Sequence, residues 1–231
     1  MVINKNDELI SGSLDFSIKV WNMTTGEFKR NLATLATGVQ SLAFNKDEDL
    51  LVGCTDAVIR ILNSTTGEEI KTLKQHSNTI SYLILNKNNE LLSASLDWTI
   101  KIWDIKTGEC KRNLTGHSSQ VRFLIINKDD ELVSASSDKS IKIWNMTTGE
   151  CKHTLVDHSI DVRSLVINKY NELISASWDK TIKIWNMTTG QIKRTLTTHT
   201  HIFQSLAINE NDELISASGD YLIKYWNINT G

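Results

Sequence analysis

The sequence predicts an all-β fold made of six copies of one 41-residue unit. Three observations support this. An aromatic or apolar residue ends a similar short segment in every copy, a glycine follows at a fixed distance, and apolar and polar residues alternate with the period of two that is typical of half-buried strands. The aromatic or apolar residues are Trp21, Leu62, Trp103, Trp144, Trp185 and Trp226. The glycines are Gly26, Gly67, Gly108, Gly149, Gly190 and Gly231.

Four strands follow one another within each copy, and we name them a, b, c and d. In the fifth copy the alternation predicts strand a at 162–168, b at 172–177 and c at 181–186. A more polar strand d is predicted at 191–196. Asn, Asp, Gly and Thr separate the strands, and they form turns without proline because Gly adopts positive φ and Asn or Asp bonds its own backbone.

A four-stranded unit of this length cannot bury both of its faces alone. Radial stacking of such units buries each face against a neighbour, and this arrangement is a β-propeller with four-stranded antiparallel blades. In an antiparallel meander, the a–b and c–d turns lie at one edge of the blade. The b–c turns and d–a connections lie at the other, which we call the b–c edge.

Composition excludes several classes of protein. The 231 residues have a formal net charge of −2 and 40% hydrophobic content. This predicts a folded core and no general attraction to nucleic acid or to an anionic membrane. No apolar run reaches membrane-helix length and the first ten residues do not read as a signal peptide, so we expect a cytoplasmic protein, with the nucleus as the alternative. The 3 cysteines show no metal-ligand spacing, and no cofactor is expected.

These residues carry a family resemblance that extends over essentially the whole chain. The dipeptides Gly116-His117 and Trp103-Asp104 each occur once, and Asn follows the tryptophan in most other copies. Together with His, Ser-x-Asp and Ile-Lys-Ile-Trp at fixed spacing, they make the sequence similar to the WD40-repeat β-propeller family. The resemblance implies one propeller domain over residues 1–231 that binds proteins or peptides.

His, Ser and Asp recur together and could be mistaken for the catalytic triad of a serine hydrolase. The resemblance instead implies a structural hydrogen-bond chain from Trp through Ser and His to Asp, repeated within the blades. Because an enzyme needs one such site in a cleft, we predict a protein that is not an enzyme. The predicted sets are His76, Ser95, Asp97 and Trp103; His117, Ser136, Asp138 and Trp144; His158, Ser177, Asp179 and Trp185; and His199, Ser218, Asp220 and Trp226.

The second copy departs from this pattern. Leu35, Cys54 and Leu62 replace the His, Ser and Trp, while Asp56 remains. We expect apolar packing to replace the polar chain in this copy.

Positions that differ between copies at the b–c edge are candidates for partner binding, because the resemblance implies that they line the mouth of the propeller channel. Arg122 and Arg163 lie in adjacent copies, near the additional tryptophan Trp178. Trp and Arg are enriched in binding hot spots, and paired guanidinium groups suit a carboxylate or a phosphate. The remaining predicted partner-binding residues are Gln40, Ser81, Gln204, Leu14 and Leu96.

Three functions are the alternatives for such a protein. The first is a scaffold or adaptor without chemistry of its own, whose partner is an acidic or phosphorylated peptide. The second is the substrate-recognition subunit of a ubiquitin ligase or another multi-subunit enzyme complex. The third is an enzyme, which would require a pocket constellation that does not repeat, and the sequence offers none.

The length adds a prediction about the last blade. The chain falls short of six full copies by one strand and its connection, so the sixth blade is predicted to lack its outer strand d. Strand c near Trp226 should then have an unpaired edge. Two alternatives stay open: a six-bladed ring, and an incomplete fragment of a seven-bladed array whose missing strand comes from further repeats or from another chain.

Overall fold

A computed structural model describes residues 1–197 and 199–228 of the chain. The chain divides into two compact units, Met1–Thr115 and Gly116–Gly231. That all 231 residues form one domain stays a prediction.

The first unit consists of three antiparallel four-stranded sheets whose strands pair in chain order. Sheet 1 contains β1 (Val2–Ile3), β2 (Glu8–Gly12), β3 (Ser17–Asn22) and β4 (Phe28–Thr34). Sheet 2 contains β5 (Val39–Phe44), β6 (Leu50–Cys54), β7 (Ile59–Leu62) and β8 (Glu69–Leu73). Sheet 3 contains β9 (Ile80–Leu85), β10 (Leu91–Ser95), β11 (Ile100–Trp103) and β12 (Cys110–Leu114).

The second unit repeats this arrangement, with one strand fewer in its last sheet. Sheet 4 contains β13 (Val121–Ile126), β14 (Leu132–Ser136), β15 (Ser140–Trp144) and β16 (Cys151–Val156). Sheet 5 contains β17 (Val162–Ile167), β18 (Leu173–Ser177), β19 (Ile182–Trp185) and β20 (Ile192–Leu196). Sheet 6 contains β21 (Phe203–Ile208), β22 (Leu214–Ser218) and β23 (Ile223–Trp226).

The all-β fold and the four-stranded repeat are confirmed. In sheet 5 each observed strand lies inside its predicted range and ends within one residue of it. The three-stranded last sheet is confirmed as well: among the described residues, β23 pairs with β22 alone. Gly231, the last of the repeated glycines, lies outside the described residues.

The b–c turn of every sheet contains a residue that is not glycine and yet has a left-handed backbone. This residue directly follows the turn aspartate, and its φ lies between 64° and 76°. L-residues avoid this region because Cβ crowds the following carbonyl, at a cost of about 1–2 kcal/mol. The residues are Phe16, Ala57, Trp98, Lys139, Lys180 and Tyr221.

The core of each unit lies between adjacent sheets. Between sheets 4 and 5, five buried apolar residues of sheet 4 pack against five of sheet 5, including Trp185. The same packing recurs between sheets 5 and 6, sheets 1 and 2, and sheets 2 and 3. Sheets 2 and 5 are therefore covered on both faces, as radial stacking predicts. In the described part of the chain, no helix has the length and apolarity needed to cross a membrane.

Candidate functional site

A buried hydrogen-bond chain links strand c, strand b and the b–c edge of sheet 3. The indole Nε1 of Trp103 donates to Ser93 Oγ at 2.8 Å. His76 Nε2 lies 2.7 Å from the same oxygen, and His76 Nδ1 lies 2.7 Å from Asp97 Oδ2. Because the ionised carboxylate only accepts, it fixes the proton on Nδ1, and Nε2 then accepts from the serine hydroxyl.

The same chain recurs in sheets 4, 5 and 6. Each of its three contacts measures 2.7–2.8 Å in every copy. The predicted His, Asp and Trp positions therefore take the predicted hydrogen bonds. The observed sets are His117, Ser134, Asp138 and Trp144; His158, Ser175, Asp179 and Trp185; and His199, Ser216, Asp220 and Trp226.

The serine assignment from the sequence is wrong by two residues. Trp103 is in register with Leu91, so its indole reaches Ser93, one step along the same face of β10, whereas Ser95 is two steps away. Ser95 instead donates to the Asn78 carbonyl at 2.9 Å and accepts the backbone N–H of Asp97 at 3.0 Å. The correction applies equally to Ser136, Ser177 and Ser218, which hold the b–c turns of their sheets.

The environment of the aspartates keeps them ionised. Burial by itself would raise the pKa of Asp138, but hydrogen bonds from His117, Ser140 and the backbone N–H of Ser118 together hold this pKa well below its usual range. Asp97 and Asp179 show the same balance, and the pKa of Asp220 is lowered to about 2. Each carboxylate thus serves as a permanent acceptor at the end of its chain.

The serine in each chain is not accessible to a substrate. Ser93, Ser134, Ser175 and Ser216 are completely buried. Each hydroxyl already accepts a hydrogen bond from the indole N–H and donates one to the imidazole. A catalytic nucleophile needs a hydroxyl oxygen that is free to react with a substrate, but here both hydrogen-bonding roles of the hydroxyl are used within the sheet. The donor order resembles that of a catalytic triad, but the serine hydroxyl is enclosed within the sheet.

Sheet 1 keeps only part of the chain, and sheet 2 replaces it with apolar residues. In sheet 1, Trp21 Nε1 donates to Ser11 Oγ at 2.8 Å. In sheet 2, Val52 and not the predicted Cys54 occupies the central serine position, because the serine assignment is shifted by two residues here as well. Val52 packs with Leu62 and Leu35 in one apolar cluster, so apolar packing replaces the polar chain as expected. Cys54 is buried beside it, and desolvation raises its pKa to about 11. Asp56 forms a bidentate pair with Arg60, at 3.1 and 2.7 Å.

The variable strand-a positions share a structural property that the periodicity did not reveal. In sheets 2 to 6 the pairing of strand a with strand b skips one residue, so that this residue forms a β-bulge at the b–c edge. Bulges redirect side chains and are frequent beside functional sites. The skipped residues are the predicted Gln40, Ser81, Arg122, Arg163 and Gln204.

The two bulge arginines and Trp178 form what we call the arginine–tryptophan cluster (Arg122, Arg163, Trp178), which lies within the second unit. The Arg163 guanidinium carbon stacks 4.3 Å from the centre of the Trp178 ring. Arg122 Nε donates to Ser137 Oγ at 3.0 Å. Ser137 in turn donates to Asp161 Oδ2 at 2.7 Å, which links the b–c turn of sheet 4 to the edge of sheet 5.

Two donors in this cluster have no hydrogen-bond partner among the described residues. They are Arg163 Nη1 and Trp178 Nε1, and both atoms are buried. Burial lowers the pKa of both arginines, and the charge of Arg163 lowers that of Arg122 further, while Asp161 opposes the shift in each. The cluster therefore contains two guanidinium groups near a single carboxylate, with unused donors of two kinds.

Ser137, Asp161 and Gln120 surround Arg122 of the cluster through hydrogen bonds, and they were not among the predicted partner-binding residues. The side chain of Gln120 accepts from Arg122 Nη2, next to the Ser137 and Asp161 contacts. All three occupy positions at the b–c edge that differ between the copies, and this variability is the feature of the sequence that points to them. Variability alone does not show which of these side chains contact one another.

The other predicted partner-binding residues are placed differently. Gln40 and Gln204 are exposed at their bulges, and Ser81 and Leu96 are partly buried. Leu14 is exposed and covers Gly38, since a Cβ built on that glycine would lie 2.9 Å from Leu14 Cδ2. Leu14, Gln40, Ser81 and Leu96 belong to the first unit, whereas the arginine–tryptophan cluster lies within the second.

The cysteines carry no metal cluster in the part of the chain that the structure describes. Cys54, Cys110 and Cys151 are free thiols, and within residues 1–197 and 199–228 no three His, Cys, Asp or Glu side chains converge to hold an ion.

Comparisons with known proteins agree with the repeat structure. A family model described as WD domain, G-beta repeat matches residues 1–22, 29–63, 67–104, 108–145, 149–186 and 190–227. No curated protein matches the chain. Among solved structures, the computationally designed Ika8 protein is similar, with 33% identity and a TM-score of 0.83 over 98% of this chain and 70% of that chain. The six sheets, the last with three strands, are consistent with an incomplete β-propeller, and the chain belongs to the WD40-repeat family.

Proposed function

We propose that this chain is a non-enzymatic protein-interaction scaffold whose arginine–tryptophan cluster binds an acidic or phosphorylated peptide. WD40 repeats generally mediate contacts between proteins, which supports the first half of the proposal. The second half is supported by one observation. Arg163 Nη1 and Trp178 Nε1 are buried donors that have no acceptor among the described residues.

A buried donor without an acceptor costs about 1–3 kcal/mol, so a ligand oxygen that reaches it recovers this energy on binding. The charges indicate which oxygen. Arg122 and Arg163 together exceed the single negative charge of Asp161 by one, so an anionic acceptor is favoured over a neutral one. The stack of Arg163 on Trp178 holds the guanidinium in place before the ligand arrives, which reduces the entropy lost on binding.

Peptide binding can be measured by fluorescence anisotropy with four degenerate peptide pools. Their central residue is phosphoserine, phosphothreonine, glutamate or glutamine. We expect binding of at least one anionic pool and not of the glutamine pool. Arg163→Gln should weaken this binding by about tenfold or more, because a charge-assisted hydrogen bond is worth about 1.5–3 kcal/mol.

Two further variants sharpen the test. Trp178→Phe keeps the aromatic face and removes only the indole donor, so it should weaken binding less than Arg163→Gln does. Arg112→Gln removes an arginine of strand β12, in the first unit, and should leave binding unchanged. Equal affinity for the glutamine pool, or an Arg163→Gln variant that binds as tightly as the unmodified protein, would refute the proposed ligand class.

A substrate-recognition subunit of a ubiquitin ligase or another enzyme complex is the second candidate. It is favoured by the same arginine pair, because capture of a phosphorylated segment is what such a subunit performs. Affinity purification distinguishes the two roles. Ligase subunits that co-purify with the unmodified chain and with Arg163→Gln alike would support the second candidate. Cytoplasmic localisation is part of the proposal, and imaging of a fluorescently tagged chain tests it.

A further inference from the structure

Within each unit, adjacent sheets contact each other through two different faces. We call the side that packs on the following sheet the forward face, and the side that packs on the preceding sheet the backward face. Between sheets 4 and 5, both faces are buried and closely packed. The forward face of sheet 4 consists of Val133, Ala135, Ile141, Ile143 and Leu155, and the backward face of sheet 5 consists of Val162, Leu165, Leu173, Trp185 and Met187.

The forward face of sheet 6 has the same residue pattern but is open to solvent. Ile223 and Tyr225 on β23 are 68% and 69% exposed. The residues one repeat earlier, Ile182 and Ile184, are 0% and 3% exposed because they pack on sheet 6. Ala207, in the equivalent place on β21, is exposed as well. Sheet 6 thus has an apolar face built like the faces that are buried elsewhere in the chain.

The backward face of sheet 1 is exposed in a corresponding way. Met23 is 46% exposed, whereas Met187, in the same place in sheet 5, is 8% exposed. Met1, Ile3 and Phe28 are exposed large apolar residues on this face. They occupy the places that Leu165, Ile167 and Ile192 occupy in the packed interface of sheet 5.

We infer that the forward face of sheet 6 docks on the backward face of sheet 1 in a second copy of this chain. The two exposed faces are the two halves of the interface that the chain forms internally between consecutive sheets. The contact would continue a stack whose packing is already present four times within the two units. Burial of exposed Ile, Met, Phe and Tyr side chains supplies its driving force.

Polar groups at these two exposed faces also support a second copy of this chain as the binding partner. In sheets 2 and 5, a strand-a serine hydroxyl accepts a backbone N–H from the following sheet, at 3.0 and 3.1 Å. Ser205 has this position in sheet 6, and it is exposed. The a–b turns also touch across the internal interfaces, where Lys46 Nζ donates to the Lys87 carbonyl at 2.8 Å.

Charge at the a–b turns is complementary between the two exposed faces. The position of Lys46, Lys87, Lys128 and Lys169 is occupied by Glu210 in sheet 6 and by Lys5 in sheet 1, and both are exposed. Docking brings Glu210 opposite Lys5. Asp7 then takes the place of Asp212, which accepts the backbone N–H of Lys169 at 3.1 Å.

Light scattering coupled to size-exclusion chromatography tests the association over a range of protein concentrations. We expect the mean mass of the unmodified chain to rise above the 26.1 kDa monomer with concentration, because each copy has both faces. Ile223→Lys, or independently Tyr225→Lys, should raise the dissociation constant at least about tenfold by placing a charge in the apolar contact. Val156→Lys is the matched control, because Val156 is 69% exposed and lies on neither face.

A mixing experiment distinguishes head-to-tail docking from other association. Ile223→Lys blocks the forward face and Met23→Lys blocks the backward face, so each variant alone should be monomeric. An equimolar mixture retains one intact face of each kind and should form a dimer of twice the chain mass. Circular dichroism and thermal melting verify that each variant is folded.

Three results would overturn the inference. One is a monomer at every concentration. Another is association of the Met23→Lys variant alone, which would mean that forward faces pair with one another. The third is a concentration-dependent mass that Val156→Lys reduces as much as Ile223→Lys does.

Discussion

At the scale of single residues, the buried serine is the point on which each hydrogen-bond chain depends. Ser134 accepts from Trp144 Nε1 at 2.8 Å and contacts His117 Nε2 at 2.7 Å, and it is completely buried. Ser11 in sheet 1 accepts from Trp21 at the same distance, but both residues are partly exposed. Water can replace the lost partner in sheet 1 and cannot do so in sheet 4.

The two serines therefore provide a matched pair of substitutions. Ser134→Ala should lower the free energy of unfolding by about 1–3 kcal/mol, because it leaves two buried polar groups without a partner. Ser11→Ala should lower it by less than about 1 kcal/mol, since its tryptophan is within reach of water. Urea unfolding followed by tryptophan fluorescence measures both. Equal losses would contradict a special role for the buried chain.

Residue identities in these chains were predictable to different degrees. His76, Asp97 and Trp103 follow from the repeat because each occurs at one place per copy. Ser93 does not, because period-two alternation puts two serines on the same face of β10, and only the strand register decides which one meets the indole. The bulge at Arg163 was also hidden, since every full copy contains the extra residue and the spacing never changes.

At the scale of the element, the c–d turn uses one glycine position in two different surroundings. Gly26 and Gly67 both have left-handed φ, 73° and 78°. A Cβ added to Gly26 would meet nothing within 4 Å, whereas one added to Gly67 would lie 2.0 Å from the Leu32 carbonyl oxygen of sheet 1. The same turn is thus free in one sheet and pressed against a neighbouring strand in the next.

Alanine substitutions separate backbone strain from steric contact in this turn. Gly26→Ala should lower the free energy of unfolding by about 1–2 kcal/mol, the cost of a left-handed L-residue. Gly67→Ala should cost at least about 1 kcal/mol more, because backbone atoms of two sheets must move apart. Chemical denaturation of the two variants gives the comparison. If Gly67→Ala lowers the free energy of unfolding no more than Gly26→Ala does, the contact between the two sheets does not contribute the expected steric cost.

At the scale of the whole molecule, four buried chains end on aspartates whose pKa values are lowered. Burial opposes the lowering, and the hydrogen bonds from histidine and from neighbouring N–H and hydroxyl groups exceed it. A carboxylate with a lowered folded pKa contributes stability that is fully present above its unfolded value and disappears as the pH falls through the folded value. Because the four groups act in different sheets, their proton uptake adds up.

Stability should therefore decrease steeply in acid. The free energy of unfolding should be nearly constant above about pH 5. It should fall as the pH drops from about 4 toward 2, which is the folded pKa of Asp220. It should continue to fall below that pH, because the folded pKa values of the other three aspartates are lower still. Asp138→Asn should be less stable near neutral pH and should show a shallower decrease below about pH 4, since it takes up one proton fewer.

Urea unfolding at several pH values measures this dependence. Asp47→Asn, in an exposed a–b turn, is the control and should follow the unmodified protein. Identical slopes for Asp138→Asn and the unmodified protein would mean that the chain carboxylates do not govern the acid transition.

The left-handed residue in each b–c turn has a consequence for how such a protein can change. Phe16, Ala57, Trp98, Lys139, Lys180 and Tyr221 differ in size, charge and polarity, yet all adopt the same backbone. Trp98 and Tyr221 are exposed large side chains, so the turn displays them without packing them into the sheet. L-residues that are not β-branched meet a similar backbone cost there, so exchanging one of them for another changes the stability of the scaffold little. Five of the six sheets thus offer one exposed position of this kind, at Phe16, Trp98, Lys139, Lys180 and Tyr221, where new recognition can be acquired by substitution while the architecture is retained.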